Sequence, residues 1–411
     1  MYDYTCHAQH GTVMTDIVII VLIYYLPKGY FMLAELIGCY VPKLIGLIIA
    51  LAGLGFLIGF HELGHWLFAQ LFGIATPTFS IGMGPQLLRK KWRDTHFTLS
   101  LIPLGGYVEI AGLAEVGQGE QKHANDRSSH SFARKPYWQK FLVMAGGILF
   151  NLLAALVILV ALFMTGMPKS SLLTPEQIPA VIREVRAGQP AAIASLQVGD
   201  HIVSCNDAPI DNALALMQAL RQHKDTEVIL GIERNGTISP IPVTTTAQGS
   251  IGIMFEQPTG NQEPQPFITA VTNAWQLIGT IMAKLGSTFG AMFRSRSIDG
   301  LGGPLMIIVQ MTQGVAQGIS LFLALLAFIS INLAALNLLP LPILDGGQLV
   351  LVTIESLIGR PISLNVRLAI HYACWIAFLV LFVFLTHKDI DTLLGGALTT
   401  GWHSLATIIG F

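Results

Sequence analysis

Charge is what this sequence has least of. Only 11% of its 411 residues are charged, against about a quarter in an ordinary soluble domain, while 53% are hydrophobic. That balance excludes an ordinary water-soluble chain and predicts a polytopic membrane protein in contact with the lipid bilayer. There is no basic excess either: the formal net charge is -1, which removes nucleic acid as a partner. Cysteine is scarce. Cys6, Cys39, Cys205 and Cys374 show no CxxC spacing, so neither a disulfide framework nor a thiolate metal site is expected. No Lys or Arg precedes Lys28, so the basic start of a secretory signal is missing.

Four apolar runs are long enough to span a bilayer: about Leu44 to Phe72, Trp138 to Met164, Ile319 to Leu339 and Val366 to Thr386. Residues 1 to 43 read as a poor extra span or an interfacial helix, with Met14 and Met32 as alternative starts. The first confident span is rich in glycine (Gly46, Gly53, Gly55, Gly59, Gly64), which lets other helices approach closely. Between Pro77 and Glu109 short apolar runs alternate with Gly and Pro, the pattern of short strands joined by turns. Non-helical backbone at membrane depth must line a cavity or be covered by protein. Eight basic residues lie between the first two spans (Arg89, Lys90, Lys91, Arg93, Lys122, Arg127, Arg134, Lys135), which puts this side in the cytoplasm. Asn151, inside the second span, needs a polar partner, for packing or for site support.

Between about Pro168 and Pro258 the chain turns polar and alternates strand and helix signals, predicting a small α+β unit outside the cytoplasm. Residues 266 to 296 carry Trp275, Leu277, Ile278, Ile281, Met282 and Leu285 at helical spacing, as an interfacial helix would.

The chemistry sits in His61-Glu62-Leu63-Gly64-His65, within the first span. Residues four apart share a helix face, so His61 and His65 can offer two imidazoles to one metal with Glu62 beside its open position. Ionisable groups at that depth are costly unless paired or ligated. A catalytic zinc takes three protein ligands and a water. Asp345, the one carboxylate in Asn337-Leu338-Leu339-Pro340-Leu341-Pro342-Ile343-Leu344-Asp345-Gly346-Gly347, is suited to be the third: the prolines break the helix and the glycines let the backbone approach. The water would be the nucleophile and Glu62 the proton carrier.

These paired motifs resemble those of the site-2 proteases, intramembrane zinc metalloproteases. The stretch from Val185 to Ala192, with Leu196 to Ile202, is similar to a bacterial PDZ domain, and Ile102 to Val108 adds a likeness to the regulator of sigma-E protease subgroup. The resemblance covers about residues 44 to 390. It implies His61, His65 and Asp345 as ligands of one Zn2+, Glu62 as the catalytic glutamate, and Asn337 as a residue binding the substrate backbone. It also implies a membrane-reentrant β-loop at Gly82 and Gly84 that holds an unwound substrate as an added strand.

The expected architecture is four core transmembrane helices with that reentrant loop, plus one extracytoplasmic α+β PDZ domain. The segments are an extension (1–43), a first half-domain (44–167), the PDZ domain (168–258), an interfacial region (259–318), a second half-domain (319–390) and a tail (391–411). Expected partners are transmembrane protein substrates and peptide C-termini at the PDZ domain; the expected location is a bacterial inner membrane, with the active site towards the cytoplasm. Some positions depart from the pattern: Gly147 stands where the family often has proline, Gln348 where a basic residue or histidine is frequent, and Ser195 and Asp207 where PDZ sequences often have glycine. Two rival readings are an inactive membrane PDZ scaffold that binds C-terminal tails and a metal-handling transporter or sensor. The intact ligand set opposes the first, and the lack of further ligands along the spans opposes the second.

Overall fold

A computed structural model describes residues 28–113, 123, 126–169, 178–247, 249–256, 260–295, 302–360 and 362–393. The expected extension up to residue 27, much of the polar loop and the tail from residue 394 lie outside the described residues. Four helices are long and apolar enough to cross a membrane: Tyr40–Leu71, Tyr137–Thr165, Ile319–Asn337 and Asn365–Leu393. The chain separates into two compact units, residues 1–158 with 274–411, and residues 159–273.

In the first unit, helix α1 (Lys28–Leu71) carries the first span. It ends because Gly73 takes a left-handed φ of 62° while Gly73 N–H and Ile74 N–H return to the carbonyls of Gln70 and Ala69, a Schellman cap with Ile74 buried beneath the last turn. The helix is built to be approached. A β-carbon on Gly46 would lie 3.3 Å from Thr312, one on Gly53 2.8 Å from the ring of Phe322, and one on Gly59 3.0 Å from Ile81. On Gly64 it would overlap the carbonyl of Gly146. Each glycine therefore admits a different neighbour at backbone distance.

The segment after α1 is one bent sheet of two long strands, β1 (Thr78–Trp92) and β2 (Thr95–Glu109), where the sequence reads as several short ones. Thr78–Ile81 is flanked on both edges, by His96–Leu99 and by Gly106–Glu109, while Gln86–Trp92 pairs with Thr95–Ser100. The bend is made at Gly82 and Gly84, whose φ of 87° and 85° only glycine adopts freely. Phe79, Ser80 and Val108 are buried against α1, whereas Met83 to Asp94 are exposed. Helix α2 (Tyr137–Thr165) follows as the second span, its first part in this unit.

In the second unit, β3 (Ile182–Val185), α3 (Pro190–Ile193), β4 (His201–Cys205), β5 (Ala208–Pro209), α4 (Ala213–Gln222), β6 (Glu227–Arg234), β7 (Thr237–Thr244) and β8 (Ile253–Phe255) form a sheet ordered β5-β4-β6-β7 and a separate β3-β8 pair. Alternating residues of β4 and β6 fill its core: Ile202, Val228, Leu230 and Ile232 are wholly buried with Leu216 of α4. Asn212 caps α4 by accepting from Ala215 N–H at 2.8 Å. Ser195 and Asp207 hold left-handed φ values of 58° and 63°, the conformation that glycine would supply there.

Helix α5 (Phe267–Ser295) matches the expected amphipathic segment. Back in the first unit, α6 (Pro304–Gln317) packs with α1 and with α7 (Ile319–Asn337), the third span, around Ala50, Leu57, Met311, Phe322 and Leu326. Two further helices close the fold, α8 (Asp345–Ile358) and α9 (Leu364–Leu393). Neither α6 nor α8 was legible as a separate helix in the sequence. The first span extends from Tyr40, four residues earlier than expected, because Val41 and Pro42 continue the apolar helix; the third stops at Asn337, ahead of Pro340.

Candidate metal centre

Helix periodicity puts His61 and His65 one turn apart on α1, with ring centroids 4.9 Å from each other. Asp345 reaches them from the first turn of α8, where the positive end of the helix dipole favours a carboxylate. Its placement depends on two glycines. A β-carbon on Gly346 would press 2.5 Å from the carbonyl oxygens of Leu338 and Leu339, and one on Gly347 would overlap Leu341, so α8 starts nested under the Leu338–Pro342 turn. Asp345 thus opens a helix, where the sequence alone allowed a mere turn residue.

His61 Nε2 lies 3.2 Å from Asp345 Oδ2, His65 Nε2 lies 3.4 Å from Asp345 Oδ1, and the two Nε2 atoms are 3.2 Å apart. Tetrahedral ligands about 2.0–2.1 Å from a zinc ion stand about 3.3–3.4 Å from one another, so these separations are of the size a zinc ion requires. Among the described residues, Asp345 Oδ2 is buried and receives no well-aligned hydrogen bond. Two imidazole nitrogens and a carboxylate face one another there, an arrangement that a cation between them would satisfy.

Glu62 is on the next residue of α1, only 9% exposed, and lines the same cavity of about 150 Å³ as the three donors. Asn337, the last residue of α7, lines it too, along with Val108, Ile110, Met144 and Leu344. The sheet supplies one wall: a β-carbon on Gly106 would sit 3.3 Å from Glu62 Cγ and 2.9 Å from Ser80 O. Gly82, buried, and Gly84, exposed, stand at the bend of β1 and are not among the residues lining the cavity.

Other neighbours carried little signal in the sequence. His65 Nδ1 is 2.8 Å from the carbonyl of Val143, a main-chain acceptor that no motif marks. Gly147 is packed so tightly that a β-carbon would overlap both imidazoles, a contact that its sequence reading as a departure from the family's proline did not mark. Asn151, fully buried, is 3.1 Å from His61 Nδ1. Gln348, buried where the family pattern often has a basic residue or histidine, donates to Pro342 O at 2.9 Å and lies 2.8 Å from His371 Nε2.

Residues 49–382 match the model of peptidase family M50. The chain belongs to that family. A relative in Helicobacter pylori strain J99, named as a zinc metalloprotease, is 31% identical over 369 residues, covering 84% of this chain and 99% of its own length. One in Agrobacterium fabrum, similarly named, is 29% identical over 83% of this chain and 94% of its own. The zinc metalloprotease RasP of Geobacillus kaustophilus is 26% identical over 82% and 96%. M50 members are the site-2 proteases, so this chain is a membrane-embedded zinc metalloprotease acting on membrane proteins.

Proposed function

We propose that this M50 member hydrolyses peptide bonds within transmembrane segments of single-span proteins, in a bacterial inner membrane. The observation that carries the proposal is the convergence of His61, His65 and Asp345 beside Glu62 at membrane depth. Glu62 lies nine residues before the end of the first span, about 14 Å along the helix axis. Peptide chemistry at that depth fits a substrate that is itself in the membrane.

In this reading His61, His65 and Asp345 hold the zinc. Bound there, zinc supplies Lewis acidity and a water of lowered pKa. Glu62 takes a proton from the attacking water and returns it to the leaving amine. Asn337 presents its amide to the substrate backbone from the end of α7. A transmembrane helix hides its carbonyls in its own hydrogen bonds, so local unwinding precedes hydrolysis. The bent sheet, with Gly82 and Gly84 at its turn, would be a membrane-reentrant loop that accepts the unwound segment as an added strand.

Residues 168–258 would be a PDZ domain of the regulator of sigma-E protease subgroup, set between half-domains 44–167 and 319–390. It would lie outside the cytoplasm and restrict access or bind new C-termini. The cationic residues Arg89, Lys90, Lys91 and Arg93 support a cytoplasmic setting for the exposed end of the sheet and the site near it. Substrates of this kind include anti-sigma factors and remnant signal peptides. The test is zinc content and cleavage of a single-span substrate by purified protein in detergent, with Glu62→Gln beside the wild type. One zinc per chain in both and cleavage in the wild type alone is the expected result. Zinc in both with cleavage in neither would favour the scaffold reading.

A further inference from the structure

We infer that Asn151 is a positioning residue for His61, its side-chain carbonyl accepting the Nδ1 proton and so reserving Nε2 for the metal. The inference rests on the zinc protease reading. A neutral imidazole carries one proton, and whichever nitrogen holds it cannot ligate. His65 meets this requirement through main chain, because the carbonyl of Val143 at 2.8 Å can only accept and so draws the proton to Nδ1. His61 has Asn151 in the equivalent place, with the amide Nδ2 at 3.1 Å from Nδ1.

An amide can present either face. With Nδ2 towards His61 it would donate to Nδ1, forcing the proton onto Nε2, the atom that faces Asp345 and His65 at 3.2 Å from each. It would also leave Asn151 Oδ1 buried with no partner among the described residues. A half-turn of the amide puts Oδ1 on Nδ1–H and gives both histidines the same metal-ready tautomer. The links around Asn151 hold its backbone and leave its amide free to turn. Ser330 of α7 donates to the Asn151 main-chain carbonyl at 2.7 Å, and Gly147, one turn earlier on α2, lets that helix approach the imidazoles.

The experiment compares Asn151→Leu, Asn151→Asp and Ser330→Ala with the wild type, reading zinc affinity by chelator competition and the visible spectrum of the Co2+-substituted protein. Leu, close in size but without an acceptor, should weaken zinc binding about 10–100-fold and shift the cobalt bands. Asp, which can only accept, should hold zinc within about threefold of the wild type with the same spectrum, although a packing role would make it the worst tolerated. Ser330→Ala removes a packing link without touching His61 and should leave both readouts unchanged. Zinc affinity in Asn151→Leu equal to wild type overturns the assignment. So does loss of zinc in Asn151→Asp, which decides the matter even where the Leu variant does not fold. A wild type that binds no metal overturns this inference and the protease reading together, whereas the other failures leave that reading standing.

Discussion

Gly64 and Gly146 exclude each other's side chains: a β-carbon on Gly64 would overlap the carbonyl of Gly146, and one on Gly146 would stand 2.6 Å from the carbonyl of Gly64. Helices α1 and α2 therefore touch backbone to backbone at the residue before His65. Gly64→Ala or Gly146→Ala should separate them, at a cost of about 1–3 kcal/mol from overpacking. Thermal melting in detergent, with zinc content measured in parallel, should find lowered stability and lost metal together. Stability loss with full metal retention would mean that the helix contact does not support the site.

Asp345→Asn keeps the shape of the side chain and removes its charge. Zinc affinity should fall by more than the 10–100-fold typical of changes behind the ligands, while the first turn of α8 stays in place because Gly346 and Gly347 hold it under the Leu338–Pro342 turn. Competition with a graded set of chelators measures the first. Protease protection of α8 checks the second.

Stripping the metal leaves two imidazoles and a carboxylate crowded in a buried cavity beside Glu62. The thermal midpoint should drop on chelation and climb back as zinc is added, with about 2.7 kcal/mol of stabilisation when free zinc is 100 times its dissociation constant. A midpoint indifferent to zinc would separate the ion from folding.

In the second unit, the Asp200 carboxyl receives Arg234 Nε at 2.6 Å, Arg234 Nη2 at 2.7 Å and Gln197 N–H at 2.8 Å. The Arg234 guanidinium holds it below the usual carboxylate range. A depressed folded pKa stabilises above the unfolded value, about 3.9, and that contribution is lost as pH falls through the folded one. Amide exchange in β4 and β6, taken relative to the intrinsic rate at each pH, should therefore quicken below about pH 4 in the wild type. In Asp200→Asn it should be faster already at neutral pH, by about 1–3 kcal/mol of local opening, and less dependent on acid.

Ser195 and Asp207 occupy left-handed backbone without being glycine. For Ser195→Gly, relief of about 1–2 kcal/mol of strain outweighs the added freedom of the unfolded chain, about 0.5–1 kcal/mol. The variant should be the more stable one in denaturant titration. Asp207→Gly should gain less, since aspartate tolerates this region better than serine.

The site was legible to different depths. His61 and His65 lie four residues apart, and helix periodicity alone brings them to one face with Glu62 beside it. Asp345 is 280 positions beyond His65 and was legible because Pro340, Pro342, Gly346 and Gly347 mark a broken helix with room for close approach. Asn151 was legible as a polar group needing a partner, and not as the neighbour of His61. Val143 was not legible at all, since its contribution is a carbonyl that every residue has. In the second unit β3, β4, β6 and β7 were legible because turn residues bracket them, whereas the short β5 and β8 were not. By contrast β1 and β2 were read as fragments, since Gly82, Gly84 and Pro103 interrupt a pattern that the bent sheet carries through.

By itself, the sequence determined which segments enter the membrane and which few polar groups go with them: apolar length and charge scarcity depend on composition, and a histidine pair at i, i+4 depends only on helix geometry. Tertiary structure alone decided the spacing that makes those groups a metal site. The separations of 3.2 to 3.4 Å among His61, His65 and Asp345 join α1 to α8, and they exist because Gly64 and Gly146 let α2 in while Gly346 and Gly347 let α8 nest. Close approach is a property of pairs of surfaces, and no single stretch of chain contains both members of the pair.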